Sequence, residues 1–146
     1  AQVAAALHAR FWDEANQRFR EFEDEEKASE LAQALAILSG RCAASGVLCA
    51  QLVADGDELF KPEMYMMHFV LRALIENDFQ DAAKSRLLRY WGAILETNSP
   101  TLWEASVHQN GGEAFDGAGS LCHAFSCAPL WALPRLFANG SEITGN

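Results

Sequence analysis

Apolar residues recur at three- and four-residue intervals along most of the chain, which is the spacing of one face of an α-helix. This pattern predicts six helices, over residues 3–18, 29–39, 43–54, 62–76, 81–96 and 120–137. Ser29 is a typical N-cap, Gly40 is a typical C-terminal cap, and Pro62 suits a first helical turn because its missing N–H costs little there. No alternating apolar–polar stretch is long enough to predict a strand, so the expected fold is all-α.

The predicted helices follow one another with short turns, so consecutive helices should form antiparallel hairpins. Two architectures are compatible with this arrangement: a helical bundle, or part of an α/α toroid in which functional residues gather in loops at one rim. Residues 1–138 are expected to form one partial domain, and residues 139–146 a polar tail.

The chain is acidic, with 20 Asp and Glu residues against 11 Lys and Arg residues and a net charge of −9. This charge would repel a polyanion, so nucleic acid is not an expected partner. No run of eighteen or more apolar residues predicts a membrane span, and no membrane partner is expected. Half of the residues are apolar, which is enough for a sizeable core in a domain of this length.

The histidines, glycines and cysteines do not indicate a metal or a cofactor. His8, His68 and His108 have no metal-ligand spacing with any carboxylate, and no predicted strand precedes the glycine-rich loop, so nucleotide binding is not expected. The cysteines, at positions 42, 49, 122 and 127, lack a CxxC spacing. We expect them to be buried free thiols, with disulfides as the alternative.

Side chains suited to sugar chemistry concentrate before the last predicted helix. Glu104 follows Trp103 in the loop after the fifth helix, and His123 lies at the start of the sixth. A sugar has C–H faces that pack on rings and hydroxyls that need directed partners. Glu104 could be a general base that deprotonates a water at an anomeric carbon, or it could be an ordinary loop glutamate. Trp91 and Trp103 suit either the core or a sugar platform.

Three groups of residues resemble the catalytic six-hairpin domain of bacterial and fungal α-L-rhamnosidases. They are Phe11-Trp12-Asp13 with residues 29–40, Tyr90-Trp91-Gly92 with Thr101-Leu102-Trp103-Glu104, and Gly119-Ser120-Leu121-Cys122-His123-Ala124-Phe125-Ser126. The last two groups, in this order and spacing, are the more specific. The resemblance extends over about residues 1–137 and implies an (α/α)6 toroid, of which this chain is similar to the C-terminal half.

The resemblance also implies an activity, namely inverting hydrolysis of a terminal α-L-rhamnosyl bond with Glu104 as the general base. His123 would line the rhamnose pocket, and Trp103 and Trp91 would help to shape it. The implied ligand is a rhamnose-containing glycoside or oligosaccharide. Substrates of this family are often found outside the cell, which is compatible with a secreted or periplasmic location.

The chain departs from the family pattern in three ways. Phe125 replaces the usual Trp, which should alter the packing under the site, and Leu31 stands where many members have a His. The family's general acid belongs to the N-terminal half of the toroid, which has no counterpart here. We therefore expect a fragment of a longer enzyme, or dependence on another chain, with an uncovered apolar seam and no activity alone.

Three other interpretations remain open at this level. The chain could belong to another six-hairpin glycosidase with a different glycone, since a fold does not determine a substrate. It could be a non-catalytic helical module that binds carbohydrate or another protein, or a plain helical bundle.

Overall fold

The computed structural model describes residues 2–23, 26–105 and 120–137, and most of these residues are helical. The expected helical class is therefore confirmed. In chain order the elements are α1 (Gln2–Phe11), β1 (Trp12–Asp13), β2 (Arg18–Phe19), α2 (Glu30–Leu38), α3 (Ser45–Ala54), α4 (Met67–Glu76), α5 (Gln80–Leu87), a π-turn (Leu88–Gly92), α6 (Ala93–Glu96), a 3-10 turn (Ala124–Ser126) and α7 (Ala128–Phe137). The predicted tail, 139–146, lies outside the described residues.

The first helix ends at Phe11, although the sequence predicted that it would continue to residue 18. A short antiparallel hairpin of β1 and β2 follows it. Asp13 accounts for the difference because its Oδ1 accepts hydrogen bonds from the backbone N–H groups of Ala15 and Asn16, at 3.1 and 3.2 Å. Gln17 completes the turn with a φ of 53°. Such local side-chain bonds compete with helix formation.

The second and third helices begin and end close to their predicted positions. The hydroxyl oxygen of Ser29 accepts a hydrogen bond from the backbone N–H of Ala32 at 3.1 Å, as an N-cap does. Gly40 follows α2 with a φ of 63°, a conformation that costs glycine little. Asp55 ends α3 in the same left-handed region, with a φ of 50°.

The fourth helix begins at Met67, later than the predicted start at Pro62. Residues 61–63 belong to no helix, and the three residues after them form a turn. The carbonyl oxygen of Glu63 accepts hydrogen bonds from the N–H groups of Met66 and Met67, both at 2.9 Å. Pro62 therefore precedes the helix instead of opening it.

The fifth predicted helix, 81–96, is present as a continuous run of α5, the π-turn and α6. A π-turn inserts one extra residue into a helix and is frequent at functional sites. Here it carries Tyr90 and Trp91, and both side chains are buried.

The sixth predicted helix is wrong in its first part. Residues 120–123 are not helical, and α7 begins only at Ala128. The cause is tertiary, because residues 120–123 form backbone hydrogen bonds with residues 102–104. Pro129 lies in the first turn of α7, where a missing N–H is tolerated, and Pro134 lies inside the helix.

The core is centred on α4, which packs against α2, α3, α5 and α7. Met64, Met67, Leu71 and Leu74 are fully buried, so this methionine-rich stripe belongs to the core. His68 packs edge-on against Trp131, with ring centroids 5.0 Å apart. Both of these rings are partly buried, as expected for packed side chains.

A network of charges joins α2 and α5 to the loop after α3; Glu30 and Arg86 are buried in it, and Asp55 and Lys61 are half-buried. Arg86 donates to both carboxylate oxygens of Glu30, at 2.7 and 2.8 Å, and to the carbonyl oxygen of Leu52 at 2.5 Å. Lys61 Nζ lies 2.7 Å from Glu30 Oε1 and 2.8 Å from Asp55 Oδ1. We call these four side chains the buried charge network.

Several large apolar side chains of the C-terminal half face water. Leu88 is 75% exposed and Leu95 is 67% exposed, seven residues further along the same continuous helical run. Leu130, Leu133 and Phe137 are also exposed on α7. An uncovered apolar seam would expose side chains of this kind. That another half of a toroid or another chain covers them stays a prediction.

All four cysteines lie in the described part of the chain and none forms a disulfide. Cys49 is buried, Cys42 and Cys127 are half-buried, and Cys122 is exposed. The prediction of free thiols is therefore confirmed, but the prediction that they are all buried is wrong.

Candidate functional site

The candidate site forms where three segments of the chain meet: residues 63–65, 101–104 and 120–125. The backbone N–H of Glu104 donates to the carbonyl oxygen of Ser120 at 2.9 Å. The N–H of His123 donates to the carbonyl oxygen of Leu102 at 2.8 Å. These two bonds hold the second and third segments side by side, although sixteen or more residues separate them along the chain.

The first segment joins this arrangement through its central residue. The backbone N–H of Met64 donates to the carbonyl oxygen of Glu104 at 3.2 Å, and the Met64 side chain is fully buried. The turn before α4 is therefore fixed to the core on one side and to Glu104 on the other.

The carboxylate of Glu104 is oriented by the third segment. Its Oε2 accepts a hydrogen bond from the backbone N–H of Ser120 at 2.9 Å, and the residue is half-buried. A bond from a backbone N–H to a carboxylate is charge-assisted and directional. Glu104 is therefore a positioned carboxylate, in contrast to a freely rotating loop side chain.

Glu104 also influences the pKa of Glu63, a residue that the sequence analysis did not identify. Partial shielding from water raises the pKa of the Glu63 carboxyl, and the negative charge of Glu104 raises it further. A raised pKa means that the Glu63 carboxyl takes up a proton at a higher pH than an ordinary glutamate does.

The two candidate tryptophans are both buried. Trp103 is 6% exposed and its ring nitrogen donates to the hydroxyl of Ser99 at 2.9 Å. Trp91 is 4% exposed and its ring nitrogen donates to the carbonyl oxygen of Ser126 at 2.8 Å. The structure therefore places both rings in the core, behind the surface of the site. A role for them in shaping a pocket stays a prediction.

Three other rings lie closer to the surface of the site. The imidazole of His123 is half-buried, and its centroid lies 5.3 Å from that of Tyr65 and 5.7 Å from that of Phe125. Phe125 is 79% exposed, so the expectation that it alters packing under the site is wrong. It lies on the surface because the 3-10 turn buries Ser126 and leaves Phe125 outside.

Among the described residues, Glu104 and His123 are linked only indirectly, through the backbone bonds between their segments. His108 and the glycine-rich loop that the sequence predicted at the rim lie outside the described residues. The part of the site that is described is therefore one wall, built from Glu63, Tyr65, Glu104 and His123.

A separate cavity of about 700 Å³ lies elsewhere in the molecule. It is formed between α1 and α2, with Leu7, Phe11 and Leu35 among its lining residues. Neither Glu104, His123 nor either candidate tryptophan lines it. Among the described residues, the candidate site is therefore distinct from this cavity.

No group of three or more His, Cys, Asp or Glu side chains within residues 2–23, 26–105 and 120–137 is arranged to hold a metal ion. Over the same residues, none of the helices has both the length and the apolar character needed to cross a membrane.

Solved structures share this helical fold. A rhamnosidase from Klebsiella oxytoca with rhamnose bound matches 94% of the chain, with a TM-score of 0.77 and 21% sequence identity. A GH78 family rhamnosidase of Bacillus sp. GL1 matches 87% of the chain, with a TM-score of 0.73 and 24% identity. The chain spans 27% and 14% of the lengths of these two proteins.

At these identities the similarity establishes the fold, and at that level the resemblance to α-L-rhamnosidases is confirmed. No protein-family model matches the sequence, and a search of curated proteins found no match.

Sequence reasoning identified Glu104 and His123 but missed Glu63 and Tyr65. Pro62 made the segment 62–66 resemble the first turn of a helix, in which these two side chains would have been unremarkable. No local signal distinguishes them, since their neighbours in the site come from residues 40 or more positions later in the chain.

Proposed function

We propose that this chain supplies part of the active site of a glycoside hydrolase that cleaves terminal α-L-rhamnosyl bonds with inversion. The observation that carries the proposal is Glu104, a half-buried carboxylate held by the Ser120 N–H on a fold shared with two rhamnosidases. A rhamnose-containing glycoside or oligosaccharide is the proposed substrate.

In the proposed reaction Glu104 is the general base. Its ionised carboxylate accepts a proton from a water molecule as that water attacks the anomeric carbon. Inverting glycosidases need a second carboxyl as general acid, about 6.5–9.5 Å from the first, to protonate the leaving oxygen. We propose that this acid comes from residues outside this chain, in the missing half of the toroid or in another chain.

The other candidate residues, His123, Trp91 and Trp103, would contribute to binding of the sugar. His123 offers a hydrogen-bonding imidazole beside Glu104, and a partly exposed ring suits the C–H face of a sugar. Trp91 and Trp103 would shape the pocket from behind, because the Trp91 ring nitrogen donates to the carbonyl oxygen of Ser126 and the Trp103 ring nitrogen donates to the hydroxyl of Ser99, just before the 101–104 segment.

The test compares Glu104→Gln with the unchanged residue in a protein in which these residues are joined to the rest of a catalytic domain. The amide keeps the shape of the side chain but cannot accept the proton, so turnover of an aryl α-L-rhamnoside should fall by at least about 100-fold. Binding of L-rhamnose should change little. The chain of 146 residues alone should show no turnover.

Glu58→Gln is a matched control, because Glu58 is an exposed glutamate outside the three site segments. Unchanged turnover in the Glu104 variant would remove Glu104 from the mechanism. Faster turnover of a different aryl glycoside would favour a related glycosidase with another glycone. Sugar binding without any turnover in the complete protein would favour a non-catalytic binding module.

A further inference from the structure

The turn before α4 presents two side chains toward the candidate site. Met64 is fully buried, whereas Glu63 on one side of it is exposed and Tyr65 on the other is half-buried. The Met64 N–H bond to the carbonyl oxygen of Glu104, at 3.2 Å, places this turn directly against the proposed base.

Tyr65 extends the ring surface of the site. Its ring centroid lies 5.3 Å from that of His123, and the two planes are inclined at 53°. Phe125 continues the same series, with its centroid 5.7 Å from that of His123 at an inclination of 50°. Three partly exposed rings from two separate segments therefore lie next to one another.

Glu63 has a carboxyl that the fold does not use. Within the described part of the chain it makes no hydrogen bond or ion pair, whereas Glu30 and Asp55 are both paired with cations. It also lies within the electrostatic reach of Glu104, whose charge contributes to its raised pKa after the larger effect of partial shielding from water.

A second carboxyl within electrostatic reach of the first is unfavourable in the free protein, because two negative charges repel each other. A sugar would relieve this arrangement, since its hydroxyls donate to carboxylates and its C–H faces cover the adjacent rings. An exposed carboxyl close to partly exposed rings is a combination that suits the hydroxyls and C–H faces of a carbohydrate.

We propose that Glu63 and Tyr65 are sugar-contacting residues of this site, with Glu63 binding a hydroxyl group and Tyr65 packing beside His123 on the sugar ring. The inference rests on the proposed function, because it assigns residues to the same substrate. It assigns a role in substrate binding to the turn before α4, the first of the three segments that form the site.

The experiment uses a protein in which these residues are joined to the rest of a catalytic domain, with L-rhamnose as the probe and NMR titration as the readout. In the unchanged protein, side-chain signals of Glu63 and Tyr65 should shift together with those of Glu104 and His123. Glu63→Gln should weaken the apparent Kd for L-rhamnose by up to about ten-fold, the difference between a charged and a neutral hydrogen bond. Tyr65→Ala should weaken it further than Tyr65→Phe, which keeps the ring. Glu58→Gln should leave it unchanged.

The outcomes separate the two proposals. If L-rhamnose shifts Glu104 and His123 but neither Glu63 nor Tyr65, and both variants bind normally, this inference is overturned and the proposed function stands. If L-rhamnose shifts none of the four residues, both proposals fail. If a variant does not fold, as judged from its amide spectrum, the shifts in the unchanged protein decide the matter alone.

Discussion

The buried charge network and the candidate site use similar residue types in opposite ways. Glu30 and Arg86 are 0% and 1% exposed, and Arg86 holds both oxygens of the carboxylate. Glu104 is half-buried and oriented by a backbone N–H, and Glu63 beside it is exposed. The carboxylate that serves the fold is shielded from water and paired with cations. The carboxylates of the site remain in contact with water and are available to a ligand.

The two regions are nevertheless connected through the chain. Lys61 Nζ donates to Glu30, to Asp55 and to the carbonyl oxygen of Gly56, at 2.7, 2.8 and 2.7 Å. Glu63 follows only two residues later. The network therefore fixes the beginning of the turn that carries Glu63 and Tyr65, so that a stable region positions a more open one.

The largest expected effect is that of Arg86→Met. Removing the guanidinium leaves the Glu30 carboxylate buried with only Lys61 as a charged partner, and breaking a buried pair in this way costs roughly 3–5 kcal/mol. Urea unfolding followed by circular dichroism measures the loss. Arg89→Met is the control, because Arg89 meets Asp55 at 3.1 Å with its side chain 47% exposed, and such a pair contributes at most about 1 kcal/mol.

If Arg86→Met does not fold, a second substitution should restore part of its stability. Glu30→Gln added to Arg86→Met removes the unpaired charge, so the double variant should recover part of the lost stability. A loss below about 1 kcal/mol in Arg86→Met would mean that the network contributes no more than a surface ion pair.

A smaller effect is expected from pH, because Asp55 and Lys61 have shifted pKa values. Burial alone would raise the pKa of Asp55, but the hydrogen bond from Lys61 and the charges of Arg86, Lys61 and Arg89 outweigh it, so the pKa is lowered. Burial alone would lower the pKa of Lys61, but its bonds to Asp55 and Glu30 outweigh it, so the pKa is raised.

The signs follow from linkage. The Asp55 contribution to stability is complete above its usual pKa of 3.8 and is lost as pH falls through the lowered value. The Lys61 contribution is complete below its usual pKa of 10.5 and is lost as pH rises through the raised value. Unfolding free energies measured across this range should therefore form a plateau with an acid and an alkaline decline.

Asp55→Asn tests the acid decline without disturbing the backbone, because asparagine also tolerates the left-handed conformation found at this position. The variant should be less stable at neutral pH and should lose less stability on acidification. An acid decline identical to that of the unchanged chain would show that other carboxyls cause it.

The sequence predicted the parts of this comparison that depend on local signals. The Ser29 cap and the Gly40 stop each act within one helical turn, and both are present. Asp13 is an instructive exception, since its side-chain bonds to the next residues are local, yet the apolar spacing across it still suggested a helix.

The tertiary parts could not be predicted in the same way. Glu30 and Arg86 are 56 residues apart in the chain, and a charge pair leaves no periodic trace at that distance. The pairing of residues 102–104 with 120–123 similarly overrode the predicted start of the last helix. Glu104 was identified from its position next to Trp103 and from the resemblance of its neighbours to a known motif, and Glu63 had neither signal around it.

The smallest expected effect is that of Glu104→Gln on stability, and it is the sharpest test of the contrast between the two regions. The amide oxygen can still accept the Ser120 N–H, so the variant should lose less than about 1 kcal/mol, the difference between a charged and a neutral hydrogen bond. Glu104→Ala removes the acceptor and should cost about 1–2 kcal/mol.

Removing the charge of Glu104 should also let the pKa of Glu63 fall toward its usual value, which NMR titration can follow. A loss above about 2 kcal/mol in Glu104→Gln, beyond what one hydrogen bond explains, would place Glu104 among the residues that serve the fold. A negligible loss combined with a lower pKa at Glu63 would instead be the behaviour of a carboxylate positioned for a ligand, because its charge is felt by its neighbour and is not needed to keep the chain folded.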